Sequence, residues 1–276
     1  MRNLFYRLIM FIDSVDEDDL NYKIALYMVK NFPSLGKMRI NELAAECYVS
    51  AATISRFCRE LGFENYAELK QECLRAIEHE RKLGNLIDVE PAVMRDTPKL
   101  ASTQFLNQLT SDLENFSGSI DWKKIDRVLQ MIHDTEDVNF YGIQFSNAAA
   151  THLQGDLMVV GKFTHAPIDI QAQERRAKNA TEDSLAIIMS VKGNYMYQSG
   201  RRTLNYLERS GCTVVVITSQ PEDELPILAD YVVPLGPFKS SHSGKHALLA
   251  LVEMMALRYY TLYNPSFDIL RNDIGK

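Results

Sequence analysis

Apolar residues recur at three- and four-residue spacing through most of the first 80 positions, the period of helices that bury one face. Leu4, Phe5, Leu8, Ile9 and Ile12 predict a short amphipathic helix over 1–12. Leu20, Ile24, Tyr27 and Met28 form the core stripe of a second helix, Asp16 to Asn31, whose carboxylates lie near its positive N-terminal end. Pro33-Ser34-Leu35-Gly36 reads as a turn. In Ile40 to Gly62 the spacing through Leu43, Ala44 and Cys47 breaks at Tyr48-Val49 and resumes at Ile54, Phe57, Cys58 and Leu61. That predicts two short helices packed on each other, the second running from Ala51 to Leu61. Ser50 can N-cap it, and Gly62 can close it in a left-handed conformation. One more helix follows from Tyr66 to Glu80.

Periodicity is lost between Arg81 and Pro98, where Gly84, Pro91 and Pro98 collect, and a linker is expected there. Two helices, Lys99 to Asn115 and Asp121 to His133, lead into short apolar runs: Val138 to Tyr141, Lys162 to Ala166, Leu185 to Met189, Val214 to Ile217 and Tyr231 to Val233. Runs such as LAIIM and VVVI are apolar at every residue, as strands buried on both faces of a parallel sheet are. Helical stretches at Ser146–Val160, Gln171–Lys178, Tyr195–Ser210 and Glu222–Ala229 supply right-handed crossovers. Leu248 to Leu262 is apolar enough for core packing and, beyond it, a dimer interface. The chain therefore reads as multidomain: an all-α helix-turn-helix domain over 1–80, a linker over 81–98, and an α/β doubly wound parallel-sheet domain of flavodoxin-like strand order over 99–276.

Composition narrows the setting. No apolar run approaches the roughly 20 residues of a membrane span. Residues 1–12 are apolar but short, and the acidic stretch after them offers no signal-peptide cleavage site. A soluble cytoplasmic protein with no membrane partner is expected. Cys47, Cys58, Cys73 and Cys212 lack any C-x-x-C spacing, which favours buried reduced thiols over a disulfide or zinc site.

The second helix of the pair carries the first candidate chemistry. Ile54, Phe57 and Leu61 share one side, whereas Ser50, Ala51, Ala52, Thr53, Ser55, Arg56 and Arg59 lie on the other or at the N-terminal end. Small residues at the start let such a helix enter the DNA major groove, where Arg can pair with guanine and Ser or Thr can reach a base edge or phosphate. An ordinary helical hairpin has the same spacing. The surroundings are acidic: the chain carries a formal charge of −6, and residues 1–80 hold ten Lys or Arg against thirteen Asp or Glu. Because affinity for DNA comes largely from phosphate contacts, two copies are expected to be needed, in a homodimer or homotetramer. Lys37, Arg39, Arg56 and Arg59 lie in or beside the motif, while Asp13, Asp16, Glu17, Asp18 and Asp19 cluster upstream.

The stretch TISRFCRELGFENYAELK closely resembles the DNA-binding domain of the RpiR family of bacterial transcriptional regulators. Its pattern of a Ser, a Thr, an apolar residue and SRF, then Leu-Gly-Phe and a Leu-Lys pair, is carried by Ser50, Thr53, Ile54, Ser55, Arg56 and Phe57, then Leu61-Gly62-Phe63 and Leu69-Lys70. Tyr48 departs from it, since the family's turn usually has a small residue. The resemblance implies a double-stranded DNA operator as partner.

Ligands of doubly wound sheets bind beyond the carboxyl ends of the strands. Here those ends read Gly142-Ile143-Gln144-Phe145-Ser146, Ser190-Val191-Lys192-Gly193-Asn194 and Thr218-Ser219-Gln220. Hydroxyls at loops that open helices suit a phosphate; equally, Ser146, Ser190 and Thr218 can be mere caps and turn residues. The arrangement resembles a SIS (sugar isomerase) domain, which in RpiR-family regulators senses sugar phosphates. Against the family's Gly-x-Gly-x-Ser this chain keeps Gly142 and Ser146 but has Gln144, and against Ser-x-Ser-Gly-x-Thr it keeps Ser190 and Gly193 but has Lys192 and Tyr195. Thr218-Ser219 matches. The resemblance implies a sugar-phosphate effector at Gly142, Gln144, Ser146, Ser190, Lys192, Gly193, Thr218 and Ser219, with Lys192 offering an ammonium where the family has a hydroxyl.

No cofactor is implied. His242 and His246 share a helix face but lack a third ligand for a metal. Ser240, Ser241, Ser243 and Lys245 beside them can form a lid over a ligand, and Arg175, Arg176 and Lys178 read as a solvated face. Two alternatives stand beside the sensing regulator: a regulator whose α/β domain only dimerises, and a sugar-phosphate isomerase. For the isomerase's base these loops offer only Lys192 and the histidines, with no Glu or Asp at a strand end.

Overall fold

The computed structural model describes residues 3–80, 90–236, 238 and 241–264. The chain divides into two compact units, Met1–Asn85 and Leu86–Lys276.

The first unit is all helical: α1 Asn3–Ile12, α2 Leu20–Lys30, α3 Phe32–Leu35, α4 Ile40–Glu46, α5 Ala51–Glu60 and α6 Tyr66–Glu80. Leu4 and Leu8 of α1, Ile24 and Met28 of α2, Leu43 of α4, Ile54 and Phe57 of α5 and Leu69 of α6 close one core. Two expectations are corrected here. Helix α2 starts at Leu20 instead of Asp16, because the Asp19 carboxylate accepts the Asn21 N–H at 2.6 Å and ends the helix there as its cap; Leu20 is consequently half exposed. Pro33 to Leu35 belong to α3, where proline at the start of a helix gives up no hydrogen bond.

In the second unit α7 (Pro91–Asp96), α8 (Pro98–Ser119) and α9 (Trp122–Asp134) precede the sheet. Residues 91–96 are thus helical, opened by Pro91, where a linker was expected; the linker's residues 81–89 lie outside those described. Strands β1 Val138–Tyr141, β2 Leu185–Met189, β3 Thr213–Thr218 and β4 Tyr231–Pro234 form a parallel sheet in the order β1-β2-β3-β4. Registers run from Val138 opposite Leu185, and Leu185 opposite Thr213, to Thr218 opposite Pro234. The predicted strand Lys162–Ala166 is reduced to one bridge, His165 to Asn139 on the outer edge of β1. Pro167 follows at once and cannot extend the ladder. Counted as a strand, it would restore the flavodoxin-like order. Glu222–Ala229 forms only a 3₁₀ turn at Glu222–Glu224, since Pro226 would remove a helical N–H and clash.

Strand residues alternate between two helical layers. Phe140, Ile187, Met189, Val215 and Ile217 pack under α8, α9, α10 (Phe145–Val159) and α13 (Ser241–Tyr263), whereas Tyr141, Ile188, Val214 and Val216 pack under α11 (Ile170–Lys178) and α12 (Arg201–Ser210). This double layer makes the sheet doubly wound. Along α13, Leu248, Leu251, Val252, Met255 and Tyr259 are buried while Leu257 and Leu262 stay exposed.

Arg176 is not part of a solvated face. Its guanidinium pairs with Asp137 and donates to Asn139 Oδ1 at 2.6 Å, and Ser184 donates to the same carboxylate at 2.7 Å. Burial raises the Asp137 pKa, but hydrogen bonds from Ser184 and Asn139 and the charges of Arg176 and His165 outweigh it, so the carboxyl lies below its usual range. A depressed folded pKa contributes stability that is complete above the unfolded value, about 3.9, and is lost as pH falls through the folded one. Asp137→Asn is therefore expected to lower stability at pH 7 and to flatten its decline below pH 4, read by denaturant titrations at both pH values; an unchanged acid profile would contradict it.

Candidate functional site

In the first unit, α4 and α5 are joined by a turn at Cys47–Ser50. Tyr48 N–H donates to Ala45 O at 3.1 Å and Val49 N–H to Ala44 O at 2.9 Å, with Tyr48 at φ 56°. Ser50 Oγ accepts the Thr53 N–H at 3.1 Å, the N-cap its position predicted. At the other end Gly62 stands at φ 84°, and Phe63 N–H reaches Cys58 O and Gly62 N–H reaches Arg59 O, both at 2.9 Å, a complete Schellman closure.

Ile54, Phe57 and Cys58 are buried, and Phe57 meets Phe11 edge-on at 5.1 Å. Ser50, Ala52, Arg56 and Arg59 are exposed, and Ala51, Thr53 and Ser55 are half-buried beside them. All seven expected contact residues thus lie on the solvent-facing side or the N-terminal end of α5. Arg39 is tied to Glu42, whose carboxylate accepts its backbone N–H and its Nε at 2.7 Å each. It adds less positive potential than its type implied.

In the second unit the loops after β1 and β2 meet in an open pocket lined by Ile143, Gln144, Phe145, Ser146, Ser190, Val191, Lys192, Asn194, Tyr195 and Lys245, enclosing about 480 Å³ of unoccupied space, its solvent-filled mouth included. Of the eight expected ligand residues it brings together Gln144, Ser146, Ser190 and Lys192. The other four support it. Gly142 leaves room for the loop, since a Cβ there would stand 3.0 Å from Met189 O and 3.2 Å from Ser146 Cβ. Gly193 turns the chain at φ 75° under the Tyr197 ring. The Thr218 hydroxyl donates to Ser190 O at 2.7 Å and accepts the Gln220 N–H at 3.1 Å, which spends it on joining the second loop to the third. Ser219 is bonded through its backbone N–H to Val191 O at 2.9 Å.

The lining hydroxyl of Ser190 accepts the Tyr195 N–H at 3.2 Å, opening a π-helical turn, Tyr195–Ser199. Single π turns recur at functional sites. Two residues that sequence reasoning missed hold the first loop. The fully buried Gln173 donates to Gly142 O and Pro167 O at 2.8 Å each, and Asn147 donates to Pro167 O at 3.0 Å. A signal existed: Gln173 interrupts the apolar stripe Ile170, Ala177 of α11 with a polar residue.

Gln144 caps α10 at φ 51°, ψ −120°, in the place of the expected glycine. A side chain held there costs about 1–3 kcal/mol, against about 0.4–1 kcal/mol that glycine loses through unfolded-chain freedom. Gln144→Gly is expected to stabilise the second unit by about 1 kcal/mol in denaturant titration. Destabilisation would show that the amide has contacts in the fold that repay the strain.

The expected lid is corrected in part. Ser240 and the Ser241 side chain lie outside the described residues, Ser243 is buried with its hydroxyl on the Asp112 carboxylate, and Lys245 alone of the group lines the pocket. His242 packs edge-on against Phe105 at 6.3 Å, and among the described residues no cluster of three metal-ligating side chains forms. The four cysteines are free, and burial pushes the thiols of Cys47, Cys58 and Cys73 up to about 11. Among the described residues no helix is long and apolar enough to cross a membrane.

Comparison with known proteins agrees with both halves of this picture. Residues 18–79 match the helix-turn-helix domain of the rpiR family. An uncharacterized HTH-type transcriptional regulator from the aarA 3′ region of Providencia stuartii is 25% identical over 218 residues, 77% of this chain and 73% of its own. Among solved structures, NanR of Vibrio vulnificus, complexed with ManNAc-6P, superposes with a TM-score of 0.53 at 17% identity, over 99% of this chain and 96% of that one. Phosphoheptose isomerase GmhA of Neisseria gonorrhoeae superposes with a TM-score of 0.51 at 12% identity, over 60% of this chain and all of its own. At such identities the structures speak for the fold alone, and that fold is shared with a sugar-phosphate isomerase. The N-terminal domain is therefore a helix-turn-helix domain of the rpiR family, and the α/β domain after it has the fold that NanR and phosphoheptose isomerase share.

Proposed function

We propose that the protein is a cytoplasmic, sequence-specific regulator that binds an operator through α5 as a homodimer or homotetramer, and whose affinity for DNA is set by a phosphorylated sugar or related metabolite bound beyond β1 and β2. The observation that carries the effector half is the lining of the pocket. Gln144, Ser146 and Ser190 bring polar groups, Lys192 and Lys245 bring two ammonium groups, and no carboxylate stands among the described lining residues. A phosphate monoester carries close to two negative charges at neutral pH, and the start of α10 beside it adds a positive dipole end. NanR, of the same fold, is seen with a sugar phosphate.

Recognition helices of two copies must meet half-sites about 34 Å apart, so a small change between subunits would alter affinity. By linkage, an effector that weakens operator binding must itself be weakened by operator to the same factor. Titration of a selected operator with and without hexose, pentose and amino-sugar phosphates tests both directions. No shift with any of them would remove the sensing half and leave a domain that only dimerises. Arg56→Ala is expected to cost about 1–3 kcal/mol of operator affinity and to relax specificity at one base position, as loss of a bidentate Arg–guanine contact does.

A second reading, a sugar-phosphate isomerase, is favoured only by the shared fold with phosphoheptose isomerase. Isomerisation needs a base beside the carbon that loses its proton; no Asp, Glu or His is among the described lining residues, which leaves only Lys192 and Lys245, read above as phosphate contacts. Turnover of a hexose or pentose phosphate by the purified chain would overturn the non-enzymatic reading.

A further inference from the structure

Tyr48 combines two unfavourable features. It is one of only two non-glycine residues with positive φ among those described, and its side chain is 96% exposed. For a bulky residue the left-handed region brings Cβ against the following carbonyl, a cost glycine would not bear. Leaving an aromatic ring in water gives up the burial such a ring normally contributes. Among the described residues its ring stacks on no other ring and its hydroxyl makes no hydrogen bond with side chain or backbone. By contrast Gln144, the other such residue, lines a pocket.

Position suggests what repays these costs. Tyr48 lies two residues before Ser50, the cap of α5, in the turn that brings the chain to the N-terminal end of the recognition helix. That end of a recognition helix goes into the major groove, and the phosphates on either side of the groove are routinely contacted by tyrosine hydroxyls. The following positions Ala51 and Ala52 are short and leave the approach open. We propose that Tyr48 is a DNA-contacting residue, its phenol donating to a backbone phosphate beside the half-site read by α5. The proposal rests on the DNA-binding reading and adds a sequence-independent contact to it.

The test uses the full chain and two probes, a duplex selected by the wild-type protein from random sequence and sonicated genomic duplex DNA. Tyr48→Phe removes the donor, and Tyr48→Gly removes ring and strain together. Each is expected to weaken binding to both duplexes by about tenfold, the value of one hydrogen bond to a charged acceptor, while thermal stability is kept by the first and raised by the second. Wild-type affinity in both variants overturns the proposal, and so does wild-type affinity in Tyr48→Phe alone, which would assign the contact to the ring. If Arg56→Ala weakens binding while the Tyr48 variants do not, only this proposal fails. If the wild-type chain holds no duplex at all, the DNA-binding reading fails and takes the proposal with it.

Discussion

Replacing Lys192 and Lys245 together by alanine is expected to lower affinity for a phosphorylated sugar by at least a hundredfold while operator binding without effector stays unchanged. Both ammonium groups line the pocket, and a hydrogen bond to a charged group is worth about 1.5–3 kcal/mol. Lys192 is exposed and therefore screened, which argues for the low end of that range for each residue. Two contacts at about 1.5 kcal/mol make about 3 kcal/mol, or a factor of about a hundred. Calorimetric titration of the variant with the best-binding sugar phosphate reads the loss directly. Retained affinity would show that hydroxyls and the α10 N-terminus bind the phosphate unaided. The departure at Lys192 would then be a surface change only. A matching loss in operator binding would instead point to misfolding.

The largest effect on stability is expected from Phe57→Ala. Phe57 is fully buried on the inner face of α5 and packs edge-on against Phe11 of α1. Truncating a buried Phe to Ala typically costs about 3–5 kcal/mol through lost transfer energy and a residual cavity. Domains hold only about 5–15 kcal/mol in all, so the first unit should be left marginal. Denaturant titration followed by circular dichroism should show an early helical transition in the variant, with DNA binding lost and sugar-phosphate binding retained. A cost under about 1 kcal/mol would mean that the core refills the space, which close-packed interiors rarely do.

Legibility differed between the two units. In the first, periodicity located α4, α5 and α6, and the Ser50 cap and Gly62 closure followed from residue types alone. Local chemistry decided those features, since a hydroxyl at the N-cap and a missing Cβ at the C′ position act within a few residues. Helix α2 is shorter than its acidic run predicts, because such a run both favours a helix start through its dipole and competes for the same N–H groups as a cap, and the Asp19 side chain decides between them. In the second unit four of the five apolar runs became strands. The fifth, around His165, sits at an edge where one neighbour and a following proline support only a bridge.

The candidate pocket was legible by half. The loops were recognisable at the strand ends, but a hydroxyl in such a loop can face a ligand or a neighbouring carbonyl, and spacing does not distinguish them. Tertiary packing turned Thr218 toward Ser190 O, and it separated Lys245, which lines the pocket, from Ser243, which is buried against Asp112, although both were expected over a ligand. It also placed Gln173 under Gly142, which no local pattern around Gly142 announces.

By itself the sequence determined where most helices and the four buried strands lie, and that the stretch from Ser50 to Arg59 holds the solvent-facing side of α5, because period and cap chemistry are short-range properties. Only the tertiary structure decided that Tyr48 and Gln144 hold glycine-like backbone without being glycine, and which strand-end side chains share one pocket. Both depend on where distant segments pack, and a strained φ or a converging side chain exists only once that packing holds it in place.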